Sequence, residues 1–508
     1  MKLHSVKIKN FRGYQTETTV ELNNLSVFVG KNDVGKSTIL EALDIFFNNS
    51  KGVVKLDKGD VNKAALQDGD TDIKITAIFE ELPSPIVIDS TNETELRDEF
   101  LLNADGRLEI TKKYPNAGTA KVFINAKHPT HTSCCDLLLK TQAQLRKIIQ
   151  EQEITCSDQN RNAAMRAAIF GEYALDHQLE NVEIDITKGE TKSIYDKLKD
   201  HFPLYSLFQS DRKNSDGDSE VQDPLQHAVA EILNDQDIRD KLNEVSEEVE
   251  KKLGEVATNT LAKLREMNPS IANSLTPEIP SPESLKWKDV FKSVSISGDD
   301  GIPINKRGSG VKRMILLNFF RAQAERRQAE KSIPSIIYAV EEPETSQHTE
   351  HQKELIQAFK TLATAPKTQI FLTTHSPSVV KQLDFHHLKM VANSDEGKTV
   401  ANVEPGQLPY PSLNEVNCLA FDEATEEYHN ELYGFIEHQD LLADFRNGKD
   451  TMLYIRQGRN GILNEQKILT EYIRHQIHHP ENTNNSRYTF EQLKESIHLM
   501  REFIRNHS

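Results

Sequence analysis

Residues 30–38 constrain the fold of this chain more than any other stretch of its sequence. They read GKNDVGKST, with glycines at the first and sixth positions and with Lys36 and Ser37 after the second glycine. An alternating apolar run, LSVFVG, leads into the segment, and STILEALDIFF follows with apolar residues at helical spacing. This order predicts a strand, a glycine-containing loop and a helix, an arrangement whose backbone N–H groups can cradle phosphate.

The residue types of this loop fit the binding of ATP with Mg²⁺. Lys36 would reach the β- and γ-phosphates, and the Ser37 hydroxyl would hold the metal ion. A tight strand-to-helix turn without a ligand is the alternative. The predicted nucleotide-binding residues of the loop are Gly30, Asn32, Asp33, Gly35, Lys36, Ser37 and Thr38.

A second apolar run ends in acidic residues. SIIYAVEE, residues 335–342, has Glu341 and Glu342 at its end. A phosphate loop needs acidic groups on the far side of the γ-phosphate. We therefore expect Glu341 to support Mg²⁺ and Glu342 to orient or deprotonate the attacking water. The alternative is a strand that simply ends in solvated acids.

Two further segments carry candidate groups for the same site. TQIFLTTHS, residues 368–376, brings His375 to the end of another apolar run. Its imidazole would sense the γ-phosphate or bond the water, although an ordinary, partly buried histidine fits the pattern too. In NKRGSGVKR, Ser309 and Gly310 precede a helix-like run, where small residues bind anions or merely cap a helix.

Together these segments resemble the ATP-binding cassette heads of the SMC/RecF-like group, particularly the OLD-like ATPases of bacterial phage-defence systems. The resemblance covers about 1–125 and 286–400 and is carried by IKNFRGYQ, VGKNDVGKST, GSGVKR, AVEEPET and TTHSP. It implies that two heads sandwich ATP, with Ser309 and Gly310 of one head meeting the γ-phosphate bound by the other. The Q-loop glutamine of such heads is not placed by the sequence.

The remaining segments complete an α/β prediction: an ABC-type ATPase head (a P-loop NTPase) with a helical insertion and an all-α C-terminal domain. Between the two parts of the head, apolar residues recur three and four apart with dense charge between them. After the Pro/Gly-rich EPGQLPYPS, helices are expected near 422–446, 464–478 and 489–505. The predicted boundaries are 1–127 and 286–410 for the two lobes of the head, 128–285 for the helical insertion or arm, and 411–508 for the C-terminal domain.

The C-terminal segment looks like a HEPN domain. Arg474 and His479 are separated by four residues in EYIRHQIHHPEN, between two helix-like runs. By this resemblance Arg474 would clamp the RNA phosphate and His479 would be the acid/base, with support from His475 and His478, at a site formed between two copies. The alternative is a helix end capped by basic residues. The strand-borne acidic cluster of the Toprim domain that continues OLD nucleases is not apparent after residue 410.

Composition excludes several classes of protein. With 78 Asp and Glu against 61 Lys and Arg, the formal charge is −17, so any nucleic-acid contact must be a local basic patch. The four cysteines lack the paired spacing of a zinc site and are too few for a disulfide framework. No apolar run approaches the ~20 residues of a membrane span, and the N-terminus lacks the apolar stretch of a signal peptide. We expect a cytoplasmic protein without membrane contact.

The function implied by the resemblance is antiviral defence. The nucleotide state of the head would control a HEPN-like RNase that acts on tRNA or another RNA. The expected partners are a second copy or a higher oligomer formed through the heads, nucleic acid (RNA, with DNA as the alternative), and an effector nuclease or a phage-encoded trigger. Two alternatives stay open: a PtuA-like sensor or scaffold ATPase that regulates a separate effector nuclease, and a RecF-like DNA-repair ATPase.

Overall fold

The computed structural model describes residues 1–49, 52–87, 93–187, 191–209, 232–233, 235–267, 335–345, 349–395, 397–408, 410–458 and 461–507. The predicted Ser309–Gly310 element lies outside the described residues. Within the described part, no helix combines the length and apolar character that a membrane span requires.

The strands are short to medium in length and most belong to two large sheets. Their bounds are β1 Lys2–Lys9, β2 Thr18–Glu21, β3 Leu25–Val29, β4 Asp72–Glu80, β5 Ile86–Val87, β6 Glu93–Thr94, β7 Leu108–Pro115, β8 Lys121–Pro129, β9 Leu179–Asp185, β10 Leu204–Phe208, β11 Ile336–Glu341, β12 Thr368–Thr373, β13 Leu388–Ser394, β14 Gly397–Asn402, β15 Thr451–Gly458 and β16 Gly461–Ile468.

The helices fall between and after these strands. Their bounds are α1 Lys36–Asn48, α2 Lys63–Gln67, α3 Gln142–Glu151, α4 Asn162–Glu172, α5 Thr191–Lys199, α6 Gln236–Met267, α7 Thr349–Ala363, α8 Pro377–Val380, α9 Leu413–Phe421, α10 Glu426–His438, α11 Leu442–Arg446, α12 Leu469–His478 and α13 Phe490–His507.

The two large sheets differ in how their strands pair. One is antiparallel, in the order β2-β1-β4-β7-β8-β9. The other has the order β10-β11-β12-β3-β13-β14 and is parallel except for β14, which pairs antiparallel with β13. The non-consecutive order is that of an open α/β sheet, in which ligands bind beyond the carboxyl ends of the parallel strands. The α/β prediction for the head is confirmed.

Helix α1 packs against strands of both sheets. Its apolar residues Ile39, Leu40, Leu43 and Phe46 are fully buried in a core that also includes residues of β1, β4, β7 and β11. The parallel sheet buries its opposite face against α7 and α9 in a second core. The helix that follows the phosphate loop is therefore held by apolar packing along its length.

Lys112 in β7 caps the carboxyl end of α1 from inside this core. Its Nζ donates to the Phe46 carbonyl at 2.6 Å and to Asn49 Oδ1 at 2.5 Å. The side chain is 1% exposed, and burial, with a smaller effect of nearby Lys199, lowers the pKa of Lys112 to about 7. A donor at this position satisfies a carbonyl that the helix itself leaves unpaired.

Helices α10–α13 and the hairpin β15–β16 form a third structural unit, the C-terminal module. Its core is built from apolar residues of all four helices, including Leu432, Phe445, Ile473 and Met500. A buried ion pair joins this module to α9, because Arg501 Nη2 lies 2.6 Å from Glu415 Oε1. Cys418 in α9 packs against the same core.

The helical prediction for 128–285 needs correction at two strands. β9 pairs antiparallel with β8, and β10 pairs in parallel with β11 at the edge of the central sheet. The apolar run of β10, LYSLF, is five residues long, and periodicity alone cannot assign so short a run. The head therefore takes strands from within the predicted insertion.

The C-terminal region is helical as predicted, with one correction. Strands β15 and β16 pair over eight residues as a hairpin, and the helix expected near 464–478 begins only at Leu469. Hairpin pairing is favoured here because Gly458 and Gly461 stand at the two ends of the turn. It is also favoured because the side chain of Tyr454, in β15, is buried. The C-terminal domain is not all-α.

Candidate active site

Several of the predicted residues meet at the carboxyl edge of the parallel sheet. The phosphate loop follows β3, Glu341 and Glu342 lie at the end of β11, and His375 comes two residues after β12. The strands β11, β12 and β3 are consecutive neighbours in the sheet. Groups that are far apart in sequence therefore project from one edge, as the strand pattern predicts.

The backbone of the phosphate loop adopts conformations that favour glycine. Gly35, at the N-cap of α1, has φ 104°, and Gly30 has φ 152°. A Cβ on Gly30 would lie 2.4 Å from the Val391 carbonyl oxygen, which is too close for any side chain. Asp33 also has a positive φ of 60°, and it and Asn32 are exposed on the loop. Val391 belongs to β13, the neighbour of β3 in the sheet, so β13 leaves room only for glycine at position 30.

Lys36 is the first residue of α1, and its side chain reaches back into the loop. Its Nζ donates to the carbonyls of Gly30 at 2.7 Å and Lys31 at 2.9 Å. Burial lowers the pKa of Lys36, an effect opposed by the negative charges of Glu342, Glu344 and Asp33. These acidic groups favour the charged amine, which is the form that would pair with phosphate.

Ser37 and Thr38 stand in the first turn of α1, directly after Lys36. Unpaired N–H groups and the helix dipole make such a turn favourable for an anion. Acidic side chains are absent from this turn, so the sequence does not offset that field locally. The turn suits a phosphate, and its hydroxyls suit a hard cation such as Mg²⁺.

Glu342 and His375 form a pair at the ends of adjacent strands. Glu342 Oε1 lies 3.2 Å from His375 Nδ1, and both side chains are partly exposed. Glu342 has an unusual φ of 42° for a non-glycine residue, stabilised by its N–H donating to the Thr373 carbonyl at 3.0 Å. Strained backbone that is fixed by the neighbouring strand is typical of functional positions.

Sequence reasoning missed Glu344, whose carboxylate bonds to the backbone of His375 in this pair. Its side chain is 5% exposed, accepts from Thr374 Oγ1 at 2.6 Å and accepts from the His375 N–H at 3.3 Å. Burial raises the pKa of Glu344, while these hydrogen bonds and the charge of His375 oppose the rise. The residue stands in the EEPET motif, so its proximity to the acidic pair was a usable signal.

Sequence reasoning also missed Gln209, which lies beside Glu341 at this edge. It follows β10, and its Nε2 lies 3.3 Å from Glu41 Oε1 and 3.3 Å from Glu341 Oε1. Its own Oε1 is buried without a hydrogen-bond partner among the described residues. Arg12, from the IKNFRGYQ motif, bonds to the same Glu41 and to Asp60.

The donor set at this edge fits Mg²⁺. It offers the Ser37 hydroxyl, the Glu341 carboxylate and the orphaned amide oxygen of Gln209, all of them oxygen ligands. A separate group, Asp384 with His386 and His387, brings its ligand atoms within 4.8 Å of one another. It lies before β13, at the opposite edge of the sheet, and its carboxylate is already 3.2 Å from Lys360 Nζ.

Arg474 and His479 stand at the end of α12 but face different neighbours. The Arg474 guanidinium lies 4.1 Å from the centre of the Tyr433 ring, and Nη2 lies 3.3 Å from Glu437 Oε2. His479 is the C-cap of α12 and is 56% exposed, with Nδ1 3.2 Å from Glu481 Oε1. In the described part of the chain, each of the two side chains is thus paired with a glutamate of its own.

The family follows from a comparison with known protein families. A family model described as an AAA ATPase domain matches residues 1–380, which includes the phosphate loop, β11 and β12. The chain belongs to the AAA ATPase domain family. The matched range contains all of the described residues that meet at the shared sheet edge.

A curated relative of this AAA ATPase chain is Endonuclease GajA of Bacillus cereus (strain VD045). The two are 23% identical over an alignment of 410 positions that covers 78% of this chain and 59% of the relative. This chain therefore spans less than two thirds of the length of the curated relative it matches.

Solved structures similar to the chain include SMC head domains. The head domain from Thermotoga maritima is 12% identical, covers 80% of this chain and 100% of its own, and has a TM-score of 0.32. An SMC head domain with an extended coiled coil from Pyrococcus furiosus, bound to the C-terminal domain of ScpA, is 11% identical, covers 79% and 96%, and has a TM-score of 0.38. Scores below 0.5 add nothing to the fold assignment, which rests on the sheet topology and the family match.

Proposed function

We propose that this chain hydrolyses ATP in bacterial antiviral defence, and that the nucleotide state of the head controls a C-terminal HEPN-like RNase. The observation that carries the first half is the convergence of the phosphate loop, the Glu341/Glu342 pair and His375 at one sheet edge. The sequence resemblance to OLD-like defence ATPases supports the biological role, and the similarity to a protein named an endonuclease is consistent with it.

Each group at the edge has a chemical task in this proposal. Lys36 and the N–H groups of the loop bind the triphosphate, and Ser37, Glu341 and Gln209 hold Mg²⁺, which when bound supplies charge neutralisation at the phosphates. Glu342 accepts a proton from the attacking water, and His375 holds the Glu342 carboxylate in place through their 3.2 Å contact.

Two heads would complete the site. The sequence resemblance assigns Ser309 and Gly310 to the γ-phosphate held by a second copy, so that ATP stabilises a homodimer. Such pairing would also bring two C-terminal modules near each other. As the sequence resemblance implies, the RNase site would form between two copies of the motif that contains Arg474 and His479, both of which lie at the end of α12.

In the RNase proposal, His479 moves the proton of a ribose 2′-hydroxyl and Arg474 stabilises the negative charge that develops on the phosphate. The substrate would be tRNA or another cellular RNA. Tyr433 and Glu437 hold the guanidinium in place, and the His475 ring stacks on Tyr454 with centroids 5.1 Å apart. His478 completes the basic end of the helix.

Helix α9 gives the head a physical connection to the C-terminal module. Val416 is buried in the core of the head, and Asn417 Nδ2 donates to the Pro377 carbonyl, two residues after His375. On its other side α9 carries Glu415, which is ion-paired with Arg501 of the module. A cavity of about 190 Å³ beside α9 is lined by Lys31 of the phosphate loop and by residues of α13. We therefore expect a movement of the phosphate loop or of His375 on nucleotide binding to change the contacts of α9 with both the head and the C-terminal module.

RNA cleavage by point variants tests the RNase half of the proposal. Purified protein is incubated with total RNA, with and without ATP, and the new RNA ends are sequenced. Arg474→Ala and His479→Ala are expected to abolish cleavage while leaving ATP hydrolysis intact, whereas the exposed controls Arg505→Ala and His507→Ala cleave like the wild type. Wild-type cleavage by both Arg474→Ala and His479→Ala would rule out the RNase assignment.

A second candidate function, a scaffold ATPase that regulates a separate nuclease, is favoured by one element of the C-terminal module. The hairpin β15–β16 exposes apolar side chains, with Leu453 49%, Ile462 65% and Leu463 44% exposed. Isolated exposed apolar residues are common, but a group of them on one hairpin suits a protein partner. This function predicts that purified protein leaves RNA uncut until the effector nuclease is added.

A further inference from the structure

Two side chains from outside the phosphate loop bond to consecutive carbonyls of that loop. Lys398 Nζ donates to the Val34 carbonyl at 2.7 Å, and the Tyr14 hydroxyl donates to the Gly35 carbonyl at 3.0 Å. A trans peptide is planar, so its C=O and N–H groups point in opposite directions. Holding these two carbonyls therefore turns the N–H groups of Gly35 and Lys36 toward the other side of the loop.

Both side chains pack directly on the loop. A Cβ on Gly35 would lie 3.2 Å from Lys398 Cδ and 3.2 Å from Tyr14 Cε2. Tyr14 is fully buried, which fixes the position of its hydroxyl. The two contacts come from parts of the chain that are nearly 400 residues apart, one in the IKNFRGYQ motif and one in β14.

Lys398 is itself held at three points. Its Nζ also donates to Asn393 Oδ1 at 3.0 Å, and its backbone carbonyl accepts from Thr18 Oγ1 at 2.9 Å. The hairpin β13–β14 is thereby tied to β2 of the antiparallel sheet, and the amine reaches the loop from a fixed base. A lysine anchored in this way differs from a mobile surface lysine.

We propose that Lys398 and Tyr14 form an outer clamp that presets the phosphate loop, orienting the N–H groups of Gly35 and Lys36 for the phosphates of a nucleotide. Both are positioning residues, because they act through the peptide groups of the loop. The inference rests on the proposed ATP site and adds to it a reason for the loop to be pre-organised. Pre-organisation raises affinity by removing the cost of ordering the loop on binding.

Gly13 offers a way to move Lys398 without touching the loop. A Cβ on Gly13 would lie 2.1 Å from Lys398 Cε and 3.2 Å from its Nζ. The end of a lysine side chain can swing away at little cost to the fold. Gly13→Ala is therefore expected to displace the amine from the Val34 carbonyl while the rest of the chain stays as it is.

A double-variant cycle with a fluorescent ATP analogue and Mg²⁺ tests the clamp. Lys398→Met should weaken binding about tenfold, the effect of losing one hydrogen bond from a charged donor. In steady-state hydrolysis it should raise KM with little change in kcat. Lys398→Arg, which keeps a charged donor, should recover most of the affinity, and Tyr14→Phe should weaken binding roughly threefold to tenfold.

Gly13→Ala decides between a clamp and a general effect on stability. It should weaken binding in the wild-type background as much as Lys398→Met does, and should add less than about twofold when Lys398 is already Met. Binding within twofold of wild type for Lys398→Met, or equal losses from Gly13→Ala in both backgrounds, would overturn the clamp. A wild type that binds no Mg²⁺-ATP analogue would instead overturn the proposed ATP site, and the clamp with it.

Discussion

The head and the C-terminal module hold their candidate residues in different ways. In the head, Glu342 and His375 follow adjacent parallel strands, and the ladder between β11 and β12 sets their separation. In the module, Arg474 and His479 belong to one helix and are positioned by side chains such as Tyr433 and Glu481. Backbone pairing within one chain therefore sets the positions of the head residues, whereas contacts between surface side chains set those of the module residues.

The first prediction tests whether the head site is fixed by its backbone. Glu342→Gln should lower kcat for ATP hydrolysis by about 10²- to 10⁴-fold, the usual range for loss of a general base, while ATP binding is retained. The amide still fits because the φ of Glu342 is held by the bonds of its N–H to Thr373. Phosphate release and nucleotide binding are measured on the same preparation.

Lys36→Ala provides the contrast for this variant, because it should lose nucleotide binding itself. The Glu342→Gln protein should also accumulate as an ATP-dependent dimer in size-exclusion chromatography with light scattering. Unchanged turnover in Glu342→Gln would reassign the general base to another group at the sheet edge.

The second prediction tests whether the module depends on its side-chain contacts. Arg501→Met leaves the fully buried Glu415 without its cation and should cost about 3–5 kcal/mol in the free energy of unfolding. Urea titration followed by circular dichroism gives the loss, and ATP binding by the head should change little.

The matched control is Arg487→Met, because Arg487 lies 3.3 Å from Glu426 in an exposed pair. It should cost no more than about 1 kcal/mol. A loss as small for Arg501→Met would show that the ion pair between α9 and α13 does not hold the module.

The third prediction has the smallest expected effect on stability and concerns α1, the helix that follows the phosphate loop. Lys112→Met removes two buried hydrogen bonds at the end of α1 and should cost about 1–3 kcal/mol near pH 8. Since the pKa of Lys112 is lowered to about 7 in the folded state, folding releases a proton between pH 7 and the ordinary lysine pKa near 10.5. The Lys112 contribution to stability therefore rises as the pH increases through this window.

Thermal unfolding of wild type and Lys112→Met at pH 7, 8 and 9 measures this contribution. The gap between their Tm values should widen with pH, while the exposed Lys147→Met control should stay parallel to the wild type. A gap independent of pH would mean that Lys112 keeps its proton in the folded protein.

The same contrast explains what could be predicted from the sequence. The loop, Glu341, Glu342 and His375 each follow a strong apolar run, so strand periodicity predicts that they meet at one edge. Gln209 follows a five-residue run with no motif around it, and its role depends on β10 pairing with β11, which are over 120 residues apart. Lys398 was missed for the same reason, because its contact with Val34 is visible only once β14 is in place.

In the C-terminal module the sequence predicted the helices but not the hairpin. The alternation in TMLYIRQ is weak, and the helical pattern of α12 continues back into β16, so the sequence predicts a helix from about residue 464. The hairpin is identified by its pairing and by the burial of Tyr454 against α12, which are tertiary effects. The roles of Arg474 and His479 stay predictions because they require a second copy of the chain.

The most direct test of the account measures RNA cleavage as a function of the nucleotide bound to the head. Cleavage rates are compared for wild type without nucleotide, with ADP and with ATP, and for Glu342→Gln with ATP, which should stay in the ATP-bound dimer. The account predicts that the rate in the trapped state differs at least about tenfold from the nucleotide-free rate, corresponding to a coupling free energy of about 1.4 kcal/mol or more. Equal rates in all four conditions, with binding of ATP verified in each sample that contains it, would contradict control of the C-terminal module by the head.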